Sequence, residues 1–312
     1  MAHSGFQSVL KNKGFQAFLW TQFLGAFNDN AYRIVVSLRA VDLAQSQALR
    51  DRYLAATTAL FVLPSIFLTG YAGHFADAFS KRKVLIAVKA FEILAMAAGI
   101  VTLLSPSVPW MFVVLFMMAV HSTVFSPAKY SIVPELVEEK DLSRGNALLE
   151  MSTLVAIVLG IAAGSQLYTK WKLEAWKVGA VLLGVALIGW ATSLRITRVP
   201  AAGAREPFRW NPFSEVVIGT RRLLKDRPMW LSVMGISYFW FLGALFQSDL
   251  VDLGKETLHA GDGQVGLLLA CISLGIGAGA MLAGRLSGDK VEIGLVPLGS
   301  ILLGAFSLAV WM

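Results

Sequence analysis

The sequence has little charge and almost no cysteine. Only 15% of its 312 residues are Asp, Glu, Lys or Arg, whereas soluble domains carry about 25%. The single cysteine, Cys271, excludes an internal disulfide and a cysteine-based metal site. Four histidines are scattered along the chain without the spacing of metal ligands, and we expect neither a metal ion nor another cofactor: His3, His74, His121 and His259.

Catalytic patterns are missing as well. The sequence contains no Ser-His-Asp order, no His-x4-Asp acyltransferase box and no phosphate-binding loop. Gly275, Gly277 and Gly279 lie inside an apolar segment with no preceding strand, which excludes a nucleotide loop and predicts close helix packing. Gly160 and Gly164 predict the same kind of packing. We therefore expect that these residues do not form an enzyme.

Apolar residues dominate the chain. They make up 56% of it, and the mean hydropathy is +0.65. A membrane-spanning helix needs about 20 mainly apolar residues, and only helices and closed barrels satisfy their backbone in lipid. The sequence therefore predicts an all-α integral membrane protein with nine spans, at residues 15–38, 54–75, 84–104, 110–133, 147–168, 176–196, 228–250, 265–286 and 293–312.

The basic residues are distributed unevenly between alternate loops. Although the net charge of +7 could indicate a nucleic-acid partner in a soluble protein, 19 of the 27 Lys and Arg residues fall on one side of the predicted bilayer. This bias predicts a cytoplasmic N-terminus and excludes nucleic-acid binding. Lys11 and Lys13 precede the first span, but its Asn28, Asp29 and Asn30 are unlike a signal peptide, so we expect it to be retained.

The longest loop, residues 197–227, separates six spans from three. Its position divides the chain into three predicted parts: a six-helix half at 1–196, a basic cytoplasmic linker at 197–227 and three further helices at 228–312. Within the linker, Ser214 is expected to cap a short helix that runs to Leu224 along the inner membrane surface. The basic residues there favour an ordinary positive-inside loop over specific recognition of anionic lipids.

The two groups of spans share short repeats. A Phe-Leu-Gly-Ala segment begins at Phe23 and again at Phe241, and a glycine with an aspartate four or five residues later follows both the second and the eighth span, at Gly73 and Gly284. These repeats predict duplicated six-span halves. The ninth span ends without flanking polar residues, and we therefore expect the sequence to be a fragment of a longer protein.

The residues Gly73-x-Phe-Ala-Asp77-x-Phe-Ser-Lys81-Arg82-Lys83 resemble the loop signature of the major facilitator superfamily. Ala78 stands where the signature has a basic residue, and Ser80 stands where it has glycine. Three further segments resemble the bacterial lysophospholipid transporter family within it, beginning at Gln22 (Gln-Phe-Leu-Gly-Ala-Phe-Asn-Asp-Asn), Phe125 (Phe-Ser-Pro-Ala-Lys-Tyr) and Gly284 (Gly-x-Leu-Ser-Gly).

The resemblance implies a twelve-helix transporter with a central cavity that opens alternately to each side. It implies movement of a lysophospholipid across the bacterial inner membrane for reacylation, in contact with membrane lipids and with a fused or separate acyltransferase as a possible partner. Two alternatives stay open: a proton-coupled exporter of another amphiphile, and a non-transport membrane module of an acyltransferase fusion. Sequence beyond residue 312 would distinguish them.

Charged residues inside the spans are the candidates for substrate binding. Asp29 and Arg33 are four residues apart on one helical face, where charge is costly, so we expect them to face a cavity or another helix and to neutralise each other partly. Asn28 and Asn30 add hydrogen-bonding groups suited to a polar head group. An internal structural ion pair is the alternative.

Two more basic–acidic pairs fall in or near spans. Lys129 and Glu150 are predicted to meet across the bundle and to join the substrate site. Lys89 and Glu92 favour a structural pair, in which Lys89 extends toward the membrane surface. His121, within the fourth span, favours a hydrogen-bonded packing role over proton relay.

The loop signature predicts a gate. The resemblance implies that Asp77 accepts backbone N–H groups at the N-terminus of the eleventh helix and so closes the inner side. That helix lies beyond the nine spans of this sequence. The gating residues expected here are Gly73, Asp77, Lys81, Arg82 and Lys83.

Overall fold

The computed structural model describes residues 6–201, 203, 210–253, 257–259, 262–287, 292 and 294–311. Apart from one isolated bridge between Ser80 and Ala201, their regular structure is helical. The α-helices are α1 (Phe6–Lys11), α2 (Lys13–Leu43), α3 (Gln47–Ala78), α4 (Lys81–Leu104), α5 (Val108–Ser131), α6 (Val133–Leu136), α7 (Leu142–Lys170), α8 (Trp176–Ser193), α9 (Pro212–Leu223), α10 (Arg227–Asp252), α11 (Asp262–Leu286) and α12 (Leu295–Trp311).

Among the described residues, nine long helices coincide with the nine predicted spans. They are α2 to α5, α7, α8 and α10 to α12, and their ends lie within a few residues of the predicted limits for most of them. Six described helices are long and apolar enough to cross a membrane, and two shorter apolar helices lie at Leu274–Leu286 and Leu295–Ala309. The prediction of an all-α integral membrane bundle is confirmed.

Helix α2 lies at the centre of the first six spans. It packs against α7, α8, α5 and α3, while α4 packs against α5 and α8. Glycines permit the closest contact, because a Cβ atom on Gly164 of α7 would lie 2.7 Å from the carbonyl oxygen of Ala31, and one on Gly160 would overlap the carbonyl of Phe27. The predicted close packing at these two glycines is confirmed.

Helix α11 packs against α7, which joins the second group of helices to the first. A Cβ atom on Gly277 would contact Met151 at 3.5 Å. In the described part of the chain, nothing lies within 4 Å of a Cβ atom built on Gly275 or Gly279. These two residues lie away from the contact with α7, and their predicted close packing stays a prediction.

Two apolar clusters fill the bundle, with a polar layer between them. One includes Tyr32, Met96 and Met118, and the other includes Phe18 and Val88, with further members at the same end. Along α2, α4 and α5, buried polar residues lie between these clusters. They are Gln22, Asn28, Asp29 and Asn30 on α2, Lys89 and Glu92 on α4, and His121 and Thr123 on α5.

Helix α9 lies within the predicted linker and ends near the predicted residue. Its cap differs from the prediction: the Asn211 side chain accepts a hydrogen bond from the backbone N–H of Phe213 at 3.0 Å, and Pro212 occupies the first turn. Ser214 lies inside the helix, since proline is favoured at the first helical position. The ring of Phe213 contacts Phe67 of α3 at 6.1 Å between centroids.

Several residues of the sequence analysis lie outside the described residues. They include four of the basic residues counted for orientation, one histidine and one glycine of the segment that begins at Gly284. These residues are Arg205, Arg209, Lys255, Lys290, His3 and Gly288.

Candidate substrate and gating sites

Glu92 is the centre of the buried polar layer. Its side chain is fully buried, and its Oε1 accepts a hydrogen bond from Asn28 Nδ2 at 2.8 Å. Its Oε2 accepts a hydrogen bond from Lys89 Nζ and lies 3.2 Å from His121 Nε2. One carboxylate therefore joins side chains from α2, α4 and α5.

His121 lies between two carboxylates. Its Nδ1 atom is 3.7 Å from Asp29 Oδ1, and its side chain is 2% exposed. The ring stacks on Phe125 of its own helix at 6.0 Å. The ring therefore lies between the Asp29 and Glu92 charges, and the hydrogen-bonded packing role that the sequence favours for it stays a prediction.

Lys89 lies deep in the bundle rather than extending to the membrane surface. Cβ atoms built on Gly25 of α2 and Gly189 of α8 would lie 3.3 Å and 2.9 Å from its Nζ atom. The two glycines leave room for the ammonium group, and Glu92 supplies the opposite charge. The predicted ion pair is confirmed, and the predicted extension of Lys89 toward the surface is wrong.

Asp29 and Arg33 are not a direct ion pair among the described residues, although the charge of Asp29 acts on Arg33 electrostatically. The Arg33 guanidinium donates a hydrogen bond to Asn30 Oδ1 at 3.2 Å and lies over the ring of Phe61 on α3, 4.9 Å from its centroid. Asp29 instead faces His121. Arg33 therefore turns toward α3, while Asp29 points toward α5.

Lys129 belongs to a second polar group beside the first. Its Nζ donates a hydrogen bond to Thr153 Oγ1 at 2.9 Å, and Thr153 donates one to Gln22 Oε1 at 3.0 Å. Glu150 is half-buried and acts on Lys129 electrostatically, although the two are not among the ion pairs of the described residues. The predicted direct contact between Lys129 and Glu150 is therefore wrong.

Two basic residues of the gating signature hold this end of the bundle together. Lys81 is nearly buried and forms an ion pair with Glu135 of α6. Arg82 donates hydrogen bonds at 2.7 Å to the carbonyls of Leu194 and Ile196, just after α8. The signature therefore joins α4 to the α5–α7 connection and to the end of α8.

The other signature residues lie at the surface. Asp77 and Lys83 are exposed and Gly73 is half-buried, and no described atom lies within 4 Å of a Cβ atom built on Gly73. A groove of about 510 Å³ opens beside them, lined by Ser80, Arg82, Lys83 and Arg198 among others.

Sequence reasoning placed Lys89, Glu92 and His121 outside the substrate site, yet they form the centre of the polar layer. The sequence did contain an indication of their role: a charged residue inside an apolar span is energetically costly, and such a residue is by default a candidate for function. The layer offers groups of both charges in the interior of the bundle. Within the described residues, no group of three or more His, Cys, Asp or Glu side chains could hold a metal ion.

Comparisons with known proteins agree with this architecture. The family model of the Major Facilitator Superfamily matches residues 18–312. The lysophospholipid transporter LplT of Klebsiella pneumoniae is 30% identical over 298 residues, covering 95% of this chain and 71% of that protein. The lysophospholipid transporter LplT of Cronobacter sakazakii is 30% identical over 283 residues, covering 89% of this chain and 67% of that protein.

Among solved structures, the chain is similar to a crystallised peptide transporter POT at a TM-score of 0.49 and 15% identity. The likeness covers 80% of this chain and 54% of that one. On the match to residues 18–312 and the identity to the two LplT proteins, the chain belongs to the major facilitator superfamily of membrane transporters.

Proposed function

We propose that the protein moves lysophospholipids across the bacterial inner membrane by alternating access, with its N-terminus in the cytoplasm. The lysophospholipid transporters at 30% identity over 95% of the chain support this substrate class. The moved lipid then serves as the acceptor for reacylation by a fused or separate acyltransferase. The chain contributes a six-helix half at 1–196, a linker at 197–227 and helices of the second half at 228–312.

The observation that carries the proposal is the buried layer around Asp29. A lysophospholipid head group has a phosphate and, in many cases, an ammonium group. Asp29 supplies a carboxylate for the ammonium, while Arg33 and Lys129 supply cations for the phosphate. Asn28, Asn30 and Glu150 surround these charges with hydrogen-bonding and acidic groups. A layer with both charges suits a zwitterion better than a simple cation.

The signature loop supplies the gate in this proposal. Lys81 and Arg82 fix the end of α4 against α6 and the end of α8, so these elements move as one body. The exposed Asp77 is then available to a helix of the other half when the inner side closes, next to Gly73 and Lys83.

The test uses the full-length protein in proteoliposomes with labelled lysophosphatidylethanolamine. Asp29→Asn and Arg33→Gln are each expected to reduce uptake at least tenfold while yield stays nearly unchanged, because a neutral polar side chain costs less in lipid than a charge. Arg39→Gln is the matched control on the same helix, since Arg39 lies at the far end of α2, beside the Lys172 carbonyl, Asp42 and Tyr168. This control is expected to transport normally.

The double variant Asp29→Asn/Arg33→Gln separates substrate binding from a structural ion pair. Because the two residues do not pair directly, we expect no recovery in the double variant. Recovered uptake would contradict the assignment of these residues to the substrate. Transport of other amphiphiles without any lysophospholipid uptake by the unaltered protein would favour an exporter, and binding without transport would favour a non-transport module.

A further inference from the structure

Helix α9 has an apolar face that the rest of the described chain covers only in part. Phe213, Val216, Val217 and Leu224 lie on one side of the helix, because residues three, four or seven apart share a helical face. The Phe213 ring contacts Phe67 of α3, yet each of the four residues remains between 45% and 59% exposed. The apolar face therefore continues beyond its contact with α3.

The contacts between α9 and α3 lie at the depth of a membrane interface. They are made by Phe67 and by Tyr71, whose hydroxyl donates a hydrogen bond to the Trp210 carbonyl just before α9. At 1.5 Å per residue, these two residues are about 12 Å and about 6 Å inside the end of the predicted span at Phe75. In-plane amphipathic helices bury their apolar face about 5–10 Å below the head groups, which agrees with these depths.

An exposed indole and a group of cations flank the apolar face. Trp210 is 87% exposed, and tryptophan is enriched at membrane interfaces. Arg221, Lys225 and Arg227, at the junction of α9 and α10, are exposed as well. At 3.6 residues per turn, Arg221 lies about 80° around the helix from Phe213. Its side chain therefore starts at the edge of the apolar face and can extend to the phosphate groups of a bilayer.

The junction of α9 and α10 has a strong positive charge. The segment 221–227 contains four Lys or Arg residues and one acid, Asp226, which gives a net charge of +3. The Asp226 side chain accepts a hydrogen bond from the Met229 N–H at 3.1 Å, so its charge faces the positive end of α10. Basic clusters on an amphipathic helix, or next to a membrane-spanning helix, attract anionic lipid head groups.

We propose that α9 and its junction with α10 form a docking surface for anionic phospholipids of the adjacent leaflet. The apolar face and Trp210 contact acyl chains, while Arg221, Lys225 and Arg227 bind the phosphate groups. Phosphatidylglycerol has a net negative charge and phosphatidylcholine has none, so the surface selects the former. A positive-inside bias alone orients the helices and requires no such selection. The docking does not depend on which substrate the protein moves.

The experiment measures which lipid touches α9 in the full-length protein. Val217→Cys, in a Cys271→Ser background free of other reactive cysteines, carries a fluorophore in nanodiscs with equal amounts of phosphatidylglycerol and phosphatidylcholine. Either one lipid or the other has brominated acyl chains, because bromine quenches a fluorophore on contact. We expect phosphatidylglycerol to quench at least twice as strongly. Equal quenching by the two lipids would overturn the proposal, and so would no quenching by either, because protein or water would then cover the face.

Leu94→Cys is the position control, since Leu94 is exposed in the middle of α4. A fluorophore there should be quenched equally by the two lipids. An equal preference for phosphatidylglycerol at Leu94 and Val217 would contradict docking at α9, because it would show enrichment of this lipid around the whole protein.

The variant Arg221→Gln/Lys225→Gln/Arg227→Gln tests the role of the cations. The two lipids should then quench the fluorophore at position 217 equally, while quenching itself persists, because the apolar face still enters the bilayer. A preference for phosphatidylglycerol that survives in this variant would contradict the assigned role of the three cations.

The matched charge control is Lys11→Gln/Lys13→Gln/Lys140→Gln. It removes the same number of exposed cations from the same predicted side of the membrane. The preference at position 217 should remain. Its loss here would show that overall charge, rather than the α9 junction, attracts the anionic lipid.

A salt series decides the matter even if the Arg221→Gln/Lys225→Gln/Arg227→Gln variant fails to fold. Between about 0.1 M and about 1 M salt, the Debye length falls from about 10 Å to about 3 Å. The preference for phosphatidylglycerol at position 217 should therefore decline toward equal quenching. A preference that salt leaves unchanged would overturn the electrostatic selection of the lipid.

Discussion

Lys89 and Glu92 form an ion pair one turn apart on α4 from which solvent is wholly excluded, with both side chains 0% exposed. Gly25 and Gly189 leave the space that the ammonium occupies. A buried pair contributes little net stability, because desolvation offsets the attraction between the charges. Removing one partner is costly, because the other charge then remains buried without compensation.

Glu92→Gln should therefore lower the free energy of unfolding of the full-length protein by about 3–5 kcal/mol. Thermal denaturation in detergent measures the loss. The double variant Lys89→Met/Glu92→Gln should recover most of it, because no charge is then left alone. The control is Glu174→Gln, which breaks an exposed pair with Lys177 at the same i,i+3 spacing and should cost under about 1 kcal/mol. Equal losses for the two single variants would contradict this account.

Gly164→Ala should push α2 and α7 apart. The added Cβ would lie 2.7 Å from the Ala31 carbonyl oxygen, and overpacking of this kind typically costs about 1–3 kcal/mol. The melting temperature should fall. Gly184→Ala on α8 is the matched control, because nothing in the described chain lies within 4 Å of its added Cβ, and its melting temperature should be unchanged or higher. A harmless Gly164→Ala would show that the contact is looser than the structure indicates.

Arg82→Gln should loosen the end of α8. Arg82 supplies hydrogen bonds to the carbonyls of Leu194 and Ile196 at 2.7 Å each, and losing charged donors to partly buried carbonyls costs about 1–3 kcal/mol. We expect a lower melting temperature and faster protease cleavage in the segment after Ser193. Lys83→Gln, one residue along the same signature and exposed, should change neither. The assignment fails if the two variants behave alike.

Orientation can be tested with cysteines in a Cys271→Ser background. The bias of 19 basic residues to one side predicts that Lys83→Cys is protected from a membrane-impermeant thiol reagent in intact cells, and that Lys172→Cys is labelled. Both lysines are exposed in the structure, so reactivity reports on membrane side. The opposite labelling pattern would reverse the topology.

The sequence alone determined the helices and their order. Each apolar run satisfies its own backbone within a single helix, so length and hydropathy were sufficient for all nine, including α2 despite its polar Asn28, Asp29 and Asn30. The glycine spacing at Gly160 and Gly164 also predicted a close contact, because small residues four apart share one helical face.

Only the tertiary structure decided which side chains meet. Spacing placed Asp29 and Arg33 on one face of α2, but the partner of Asp29 is His121 of α5, a contact set by how the two helices are rotated and packed. Lys89 was expected to reach the surface, yet Gly25 and Gly189, on two other helices, make the room that keeps it inside. A helix can be predicted from its own residues because its hydrogen bonds are local. The polar layer depends on contacts between helices distant in sequence, which no local pattern specifies.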